Sequence, residues 1–288
     1  MIRNAIIMAA GMSTRFVPLS LETPKALLRV QGEVLIERQI RQLREAGIEE
    51  IVVVVGYKKE QFEYLKEKFK VILIENPVYQ VRNNHSTLYV ARDYLKNTFI
   101  CSGDNYFTEN VFKEEYGKSY YASVYEEGKT GEWCMLHNET GKIQDVQIGG
   151  ENAWIMKGHA FFNQEFSEKL VPYIENAYVD ESYKDKFWEE LFMEHIDEME
   201  MYVHKYADGI IEEFDSLEEL RQFDKTYCEE TGSTIMKRIC QQIGCKEKEI
   251  VEIRPVKNEG LVTGFSFKCR FLNYIYDAVE DTLQYLEV

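Results

Sequence analysis

A turn of small residues followed by two cations lies near the start of the chain, and residues of these types can bind phosphate. The apolar segment 5–10 runs into Gly11, Arg15 follows four residues later, and Lys25 comes directly after Pro24. Backbone N–H groups at such a turn can approach a phosphate closely, and the cations add positive charge beside it. Neither a G-x-G-x-x-G fingerprint nor a Walker A loop is present. We predict a phosphate-binding turn formed by Ala9, Ala10, Gly11, Met12, Ser13, Thr14 and Arg15.

The elements that must position this turn alternate between strands and helices. A helix is predicted around 36–43, and two more are predicted at 58–69 and 87–95. Alternation of this kind implies parallel strands that bind ligands at their carboxyl ends. Because one predicted strand ends just before Asp104, we expect this aspartate at the ligand edge. The predicted strands of this half are short apolar runs at 5–10, 51–55, 71–74 and 98–101.

The pattern changes from about residue 120, and a boundary is predicted near residue 230. A domain at 1–230 would be followed by a small α+β appendage at 231–288, with a helix at 235–243 and strands around 250–254 and 264–272. Between 120 and 230 the patterns predict strands at 120–125, 133–137, 153–157 and 200–204, a helical stretch at 164–198 and a helix from 216 onward.

Composition excludes several classes of protein. The chain of 288 residues is 45% hydrophobic and 29% charged, an ordinary balance for a globular protein. It has no apolar stretch long enough to span a membrane, and its start resembles a buried strand more than a secretory signal, so we expect a cytoplasmic protein without membrane insertion. A net charge of −16 argues against nucleic acid as a partner.

The motifs together resemble those of nucleotidyltransferases that activate sugar phosphates and alcohol phosphates. The signature A-A-G-x-x-[ST]-R, followed by P-K, matches residues 9–15 and 24–25. The resemblance implies an α/β fold of three layers, Rossmann-like, whose mixed, mostly parallel central sheet carries helices on both faces. Along residues 1–228 the chain looks most like the bacterial CTP:phosphocholine cytidylyltransferases, through its segments 83–89, 101–106, 123–125, 132–133, 187–190 and 213–216.

This resemblance implies transfer of CMP from CTP to phosphocholine, with Mg²⁺ as the cofactor. It assigns Lys25, Arg15 and Asp104 to catalysis, and it assigns Asp104 and Asp215 to the metal. Asp215 has a structural alternative, because the motif D-S-x-x-E that begins there is also typical of a helix N-cap. Nucleotide binding would further involve Asn83, Ser86, Thr87 and Gly103.

Aromatic residues decide the question of the head group. A quaternary ammonium has no N–H and is recognised by aromatic faces beside an anion. The resemblance places aromatic side chains and one acid at the site that binds the head group. The alternative is that these aromatic residues belong to the ordinary hydrophobic core. The substrate-binding candidates are Trp133, Phe187, Trp188, Glu213 and Tyr173.

Three alternative functions stay open at this point. The acceptor could be a related aminoalkyl phosphate or phosphonate, or it could be a sugar 1-phosphate, although the asparagine pair at 83–84 argues against a sugar. A non-catalytic nucleotide-binding regulator is the third alternative. The appendage weakly resembles the first strands of a choline-kinase N-lobe and lacks an H-x-D catalytic loop, so it cannot phosphorylate by itself. The chain could form an oligomer.

Overall fold

The computed structural model describes residues 3–113, 117–258 and 260–286, which fold into two compact units. The first unit contains the residues up to Gly11 together with Val34–Glu213. The second contains Met12–Glu33 and the residues from Phe214 onward. Segments 12–33 and 214–230, which the sequence assigned to the large domain, therefore pack with the appendage. The boundary near residue 230 between the large domain and the appendage stays a prediction, because the two units reflect packing and not function.

The described residues contain the following elements. The α-helices are α1 Leu19–Glu22, α2 Leu35–Glu45, α3 Tyr64–Phe69, α4 His85–Val90, α5 Gln164–Val179, α6 Trp188–Glu194, α7 Leu217–Phe223, α8 Thr226–Glu229 and α9 Thr234–Ile243. The strands are β1 Asn4–Ala9, β2 Arg29–Val30, β3 Glu33–Val34, β4 Glu50–Val55, β5 Ile72–Glu75, β6 Thr98–Ser102, β7 Asn105–Phe107, β8 Tyr120–His137, β9 Ile143–Phe162, β10 Tyr202–Tyr206, β11 Ile211–Glu213, β12 Ile250–Asn258, β13 Leu261–Cys269, β14 Leu272–Asp277 and β15 Thr282–Leu286. Short 3₁₀ helices lie at Thr14–Phe16, Lys25–Leu27, Lys59–Phe62, Arg92–Tyr94, Glu181–Tyr183 and Glu247–Glu249.

The first unit is built on a seven-stranded mixed sheet of order β10-β8-β9-β6-β1-β4-β5. The pairs β6–β1, β1–β4, β4–β5 and β10–β8 are parallel, whereas β9 runs antiparallel to β8 and β6. The predicted mixed, mostly parallel sheet is confirmed. Strands β1 and β4 are buried along almost their whole length, which explains their unbroken apolar runs.

Several predicted elements have different bounds in the structure. The strands predicted at 120–125 and 133–137 are one long strand, β8, whose pairing with β9 continues through bulges. The helical stretch predicted at 164–198 is interrupted after Val179, where Asp180 accepts a hydrogen bond from the Ser182 N–H and begins a 3₁₀ turn. The helices predicted at 58–69 and 87–95 are each a short α-helix joined to a 3₁₀ turn.

The second unit combines short helices with an antiparallel sheet of order β12-β13-β14-β15. The predicted helix of the appendage is confirmed as α9. Its sheet has four strands where two were predicted. Arg270 adopts a left-handed conformation (φ 58°) at the turn from β13 into β14, which divides the predicted strand 264–272, and β15 was not predicted. Among the described residues, no helix is long and apolar enough to span a membrane.

Candidate active site

The predicted phosphate-binding turn begins at the end of β1 in the first unit. The Ala10 carbonyl accepts a hydrogen bond from the Tyr57 N–H at 3.0 Å, which fixes the chain just before Gly11. A Cβ added to Gly11 would meet open space, so packing does not require glycine there and a ligand can approach its backbone. Gly56 was missed as a site residue: a Cβ there would lie 2.8 Å from the Ala10 carbonyl oxygen and 2.8 Å from the Tyr79 ring. The sequence signal for Gly56 was its position directly after the β-branched run at 51–55.

In the second unit the turn continues into a 3₁₀ helix that presents Arg15. Ser13 is left-handed (φ 47°), and its carbonyl accepts the Phe16 N–H at 2.9 Å. The Arg15 side chain is 70% exposed and its Nη2 lies 2.9 Å from Oδ1 of Asp215. Lys25 is buried, and its ammonium lies 5.2 Å from the centre of the Phe16 ring. The second unit therefore brings together two of the predicted cations and one of the predicted metal ligands.

The helix-cap role considered for Asp215 is filled by its neighbours instead. The Ser216 hydroxyl accepts the Glu219 N–H at 3.2 Å and so caps α7, while the Glu219 carboxylate accepts the Asp215 N–H at 2.8 Å. The Asp215 carboxylate faces Arg15 instead. Exposed ion pairs of this kind contribute little stability, typically below about 1 kcal/mol, so both partners can exchange the pair for a ligand.

Asp104 lies in the first unit on a tight connection between β6 and β7. The Gly103 N–H donates to the Met8 carbonyl at 2.9 Å, which ties the connection to the end of β1. The buried Gln39 amide donates to the carbonyls of Ser102 and Asn105, both at 2.8 Å, and so fixes the connection from both sides. Sequence analysis missed Gln39, because nothing local distinguishes it from a surface glutamine of α2.

Glu213 lies beside this connection. Strands β7 and β11 pair antiparallel with Asn105 opposite Glu213, so the residue next to Asp104 faces Glu213. The sequence assigned Glu213 to the head group, and the structure adds a place near the predicted metal ligand Asp104. Carboxylate oxygens are the ligands that Mg²⁺ prefers. Among the described residues, no cluster of three or more His, Cys, Asp or Glu side chains is arranged to hold a metal ion.

The predicted nucleotide residues after β5 divide into scaffold and surface. Ser86 and Thr87 are buried, and both hydroxyls lie within hydrogen-bond distance of the Asn76 amide, at 2.9 and 3.2 Å. The Ser86 hydroxyl also donates to the Asn83 carbonyl at 2.7 Å. These two side chains therefore shape the loop from inside. Asn83 is half-buried and borders an open cleft of about 620 Å³, also lined by Tyr79 and Asp185.

A series of hydrogen bonds holds this loop against the segment 184–189. The Asn83 N–H donates to the Lys184 carbonyl at 2.7 Å, and the Asn83 amide donates to the Asp185 carbonyl at 2.8 Å. The side-chain Oδ1 of Asn84 accepts the Trp188 N–H at 2.7 Å, and its side-chain Nδ2 donates to the Glu189 carboxylate at 3.1 Å. The loop predicted to bind the base is thus fixed to the segment that carries the predicted aromatic residues.

Glu189 is a buried carboxylate that sequence analysis did not single out. Burial raises its pKa to about 7, against hydrogen bonds from Asn84 and Tyr121 that lower it. Burial and the nearby carboxylates of Glu189 and Glu213 in turn raise the pKa of Tyr121 well above its usual range. Two acids therefore lie near one tyrosine in this part of the first unit.

Two of the predicted aromatic residues form a pair that is partly exposed. The rings of Trp133 and Phe187 are 5.6 Å apart at 79°, and Phe187 is 40% exposed. Trp188 is instead 1% exposed and packs against Tyr121 and Phe162, as the core alternative for the aromatic residues expects. The reason is its position as the first residue of α6, where it faces the sheet.

Tyr173 has a different set of partners. Its ring stacks on His195 at 3.5 Å, and its hydroxyl donates to the Glu198 carboxylate at 2.6 Å. These contacts occupy one face of the ring and its polar end. Tyr173 lies on α5 and packs against the core cluster to which α5 and α6 contribute. The structure therefore groups Tyr173 with these helices, whereas Trp133 and Phe187 form their own pair.

Comparisons with known proteins agree with this geometry. Residues 5–138 match the family model of the MobA-like NTP transferase domain. The chain is 38% identical over 222 residues to the choline-phosphate cytidylyltransferase of Streptococcus pneumoniae, covering 77% of this chain and 97% of that protein. It is 39% identical over 228 residues to the 2-aminoethylphosphonate cytidylyltransferase of Lancefieldella rimae, covering 78% and 93%. The solved structure of the CTP:phosphocholine cytidylyltransferase from S. pneumoniae superimposes with a TM-score of 0.75 at 38% identity, over 78% of this chain and 99% of that one.

The burial of Trp188 predicts a loss of stability on truncation. Trp188→Ala should lower the free energy of unfolding by about 3–5 kcal/mol, because it removes a large side chain from a packed core. Trp188→Phe should lower it less and still fold. Urea unfolding of both variants, with Trp133→Ala for comparison, measures the effect. Equal losses for Trp188→Ala and the half-buried Trp133→Ala would contradict the assignment of Trp188 to the core.

The raised pKa of Glu189 predicts a pH-dependent effect of Glu189→Gln. A folded-state pKa of about 7, above the unfolded value of 4.5, stabilises the fold fully below pH 4.5 and loses that contribution as the pH rises to 7. Glutamine cannot ionise, so the variant should gain up to about 3 kcal/mol relative to wild type between pH 4.5 and 8. Unfolding measured across this range tests it, and a difference that is constant with pH would refute it.

Proposed function

Because the chain belongs to the cytidylyltransferase family of MobA-like NTP transferases, we propose that it transfers CMP from CTP to phosphocholine, giving CDP-choline and pyrophosphate. The observation that carries the choice of acceptor is the nearly perpendicular pair of the half-buried Trp133 and the exposed Phe187. The segment that supplies Phe187 also supplies the buried acid Glu189. Aromatic faces with a nearby acid suit a quaternary ammonium, which cannot donate a hydrogen bond. We place the reaction in the cytoplasm, where CTP is found.

The chemistry requires charge compensation rather than a general base. A phosphate monoester is mostly dianionic at neutral pH, since its second pKa is about 6, so the nucleophile needs no deprotonation. Its approach to a triphosphate is opposed by repulsion, and catalysis consists of positioning and electrostatic stabilisation. We assign Arg15 to the β- and γ-phosphates, because a guanidinium binds phosphate in a bidentate manner. Lys25 would contact the α-phosphate or the acceptor phosphate.

Carboxylates would hold the magnesium ion. Asp104 and Asp215 are the proposed ligands, as the family resemblance implies. Oxygen donors of this kind fit Mg²⁺, which when bound neutralises phosphate charge and orients the reacting groups. The Arg15–Asp215 pair would open to give each side chain its own partner. The cleft beside Asn83 is the proposed position of the cytosine.

A 2-aminoethylphosphonate is the second candidate acceptor. It is favoured by the similarity to the enzyme of Lancefieldella rimae and by the two acids near Tyr121, which can accept hydrogen bonds from a primary ammonium. A sugar 1-phosphate lacks the positive charge that these acids and aromatic rings would bind. A non-catalytic regulator is disfavoured, because Arg15, Lys25, Asp104 and Asp215 are all present.

Pyrophosphate release with CTP and Mg²⁺ tests the proposal directly. Phosphocholine, phosphoethanolamine, 2-aminoethylphosphonate and a hexose 1-phosphate are compared as acceptors at equal concentration. We expect the highest kcat/KM with phosphocholine. A clear preference for 2-aminoethylphosphonate would select the second candidate, and a preference for the hexose 1-phosphate would overturn both.

Asp104→Asn should reduce kcat by roughly 100-fold or more, because the lost charge weakens a site that stabilises phosphate in the transition state. Its melting temperature should stay close to that of wild type, since Gln39 and Gly103 hold the connection through backbone atoms. The control is Asp93→Asn, an exposed aspartate of a 3₁₀ turn. Near-normal turnover of Asp104→Asn at saturating Mg²⁺ would remove Asp104 from the catalytic residues.

Trp133→Ala should raise the KM for phosphocholine by about 10- to 30-fold and leave the KM for CTP nearly unchanged, because a desolvated cation–π contact is worth roughly 2 kcal/mol. The loss should be smaller for phosphoethanolamine, whose ammonium can donate to an acid. The matched control is Trp154→Ala, since Trp154 packs against Tyr125 and lies under Lys205. If the ratio of kcat/KM for the two amines is the same in wild type and Trp133→Ala, the aromatic pair does not select the head group.

A further inference from the structure

The last residue of α1, Glu22, binds the N-terminus of the appendage helix α9. Its Oε1 accepts the Thr234 N–H at 2.9 Å and the Thr234 hydroxyl, and its Oε2 accepts the Ser233 hydroxyl. All three residues belong to the second unit. The carboxylate thus takes two side-chain hydroxyls and one of the backbone N–H groups at the helix start, where a negative charge is also favoured by the helix dipole.

Glu22 lies within the segment that carries the phosphate-binding cations. Arg15 precedes it by seven residues and Lys25 follows it by three, and only the short helix α1 and two 3₁₀ turns lie along this stretch. Helices of three or four residues have little stability of their own. The conformation of residues 12–33, which we call the phosphate segment, therefore depends on contacts with other parts of the second unit.

The helix that Glu22 binds is itself firmly held. Ser233 is 3% exposed and caps α9 by accepting the Met236 N–H at 3.0 Å. The side chains of Ile235, Met236 and Ile239 are buried. On its other side, Arg238 donates to the Tyr276 hydroxyl at 3.0 Å and pairs with Asp281, which connects α9 to the sheet of the appendage. Glu22 thus binds a helix that is itself held in place within the second unit.

A second connection holds the other end of the phosphate segment. The Gln31 N–H donates to the Asp224 carboxylate at 2.7 Å, and the Tyr227 hydroxyl donates to the Arg29 carbonyl at 2.7 Å. The buried guanidinium of Arg221, on α7, donates to the carbonyls of Tyr227, Glu247 and Ile250. Helices α7 and α8 are therefore joined to the phosphate segment on one side and to the appendage on the other.

We propose that the appendage acts as a scaffold for the phosphate segment, with Glu22 as the positioning residue through which α9 fixes Arg15 and Lys25. The family resemblance ends near residue 228, so this role belongs to the part of the chain that the cytidylyltransferase pattern leaves without a function. The proposal rests on the proposed function only in taking Arg15 and Lys25 as phosphate ligands. It does not depend on the identity of the acceptor.

Glu22→Gln in the full chain tests the role of the carboxylate. Glutamine keeps the shape and one acceptor oxygen but removes the charge and leaves one of the donors at Ser233 and Thr234 unpaired. We expect the dissociation constants of Mg·CTP and of Mg·pyrophosphate to rise about tenfold, the change that corresponds to roughly 1.4 kcal/mol. The ratio of kcat/KM for phosphocholine and phosphoethanolamine should stay unchanged, because the head-group residues are untouched.

Two further variants separate positioning from general stability. Thr234→Val removes one hydroxyl donor to Glu22 at nearly constant shape and should weaken pyrophosphate binding in the same direction by a smaller factor. Glu252→Gln removes an exposed ion pair with Lys268 inside the appendage and should leave pyrophosphate binding at the wild-type level. Binding is measured by calorimetry well below the melting temperature of each variant.

The outcomes distinguish this proposal from the proposed function. A Glu22→Gln variant that is folded and binds Mg·pyrophosphate as wild type does would overturn the scaffold role, even if its melting temperature falls. Equal weakening by Glu22→Gln and Glu252→Gln would also overturn it, since the effect would then be a general one. If wild type binds Mg·CTP but transfers CMP to no amine acceptor, the proposed function fails while the binding test of Glu22 still stands.

Discussion

The repulsion between phosphate groups is the constraint on which this structure depends. Two like charges 4 Å apart repel by about 1 kcal/mol in water and about 4 kcal/mol near a protein surface, and phosphoryl chemistry brings several such charges together. The chain as a whole has a net charge of −16, which adds to this repulsion. The proposed phosphate ligands Arg15 and Lys25, within one short segment, would oppose it locally. Arg15 is exposed and, among the described residues, pairs weakly with Asp215, so its charge is available to a ligand.

Polar side chains, more than apolar packing, define the loops that carry the candidate site residues. Gln39 fixes the Asp104 connection by binding one carbonyl on each side of it. Asn76 holds the loop after β5 through Ser86 and Thr87, and Asn84 fixes that loop to the start of α6. A buried amide whose N–H groups are paired specifies a loop conformation, because leaving a buried donor unpaired costs about 1–3 kcal/mol. The first unit therefore positions its site residues through a few amides that are not themselves expected to touch a substrate.

The second unit solves the same problem in a different way. The phosphate segment has little regular structure of its own, and its carboxylate Glu22, its backbone at Arg29 and Gln31, and its cation Arg15 each bind a partner from the residues after 213. The residues after 213 also include the appendage. The segment proposed to bind polyanions is thus held by hydrogen bonds to groups far along the chain.

The sequence by itself determined the features that are local. The apolar runs at 5–10 and 51–55 predicted buried strands, because a strand covered on both faces has no polar side to show in its pattern. The small turn with its arginine and P-K dipeptide predicted a phosphate site and, by resemblance, the family. The helix of the appendage was also predictable, since its apolar spacing and its serine cap lie within eleven residues. Each of these signals is complete within one short segment.

Only the tertiary structure decided which partners meet. Trp133 and Trp188 are the same residue type and were given the same role, yet one pairs with the exposed Phe187 and the other lies in the core. The difference arises because Trp133 lies on a strand of the sheet, whereas Trp188 lies on the side of α6 that packs against the sheet. Glu213 reaches the neighbourhood of Asp104 through the register of two three-residue strands. Glu22 meets α9 across 211 residues of chain. Periodicity records whether a position is buried, but it does not record the long-range partner, since that contact depends on how whole elements pack.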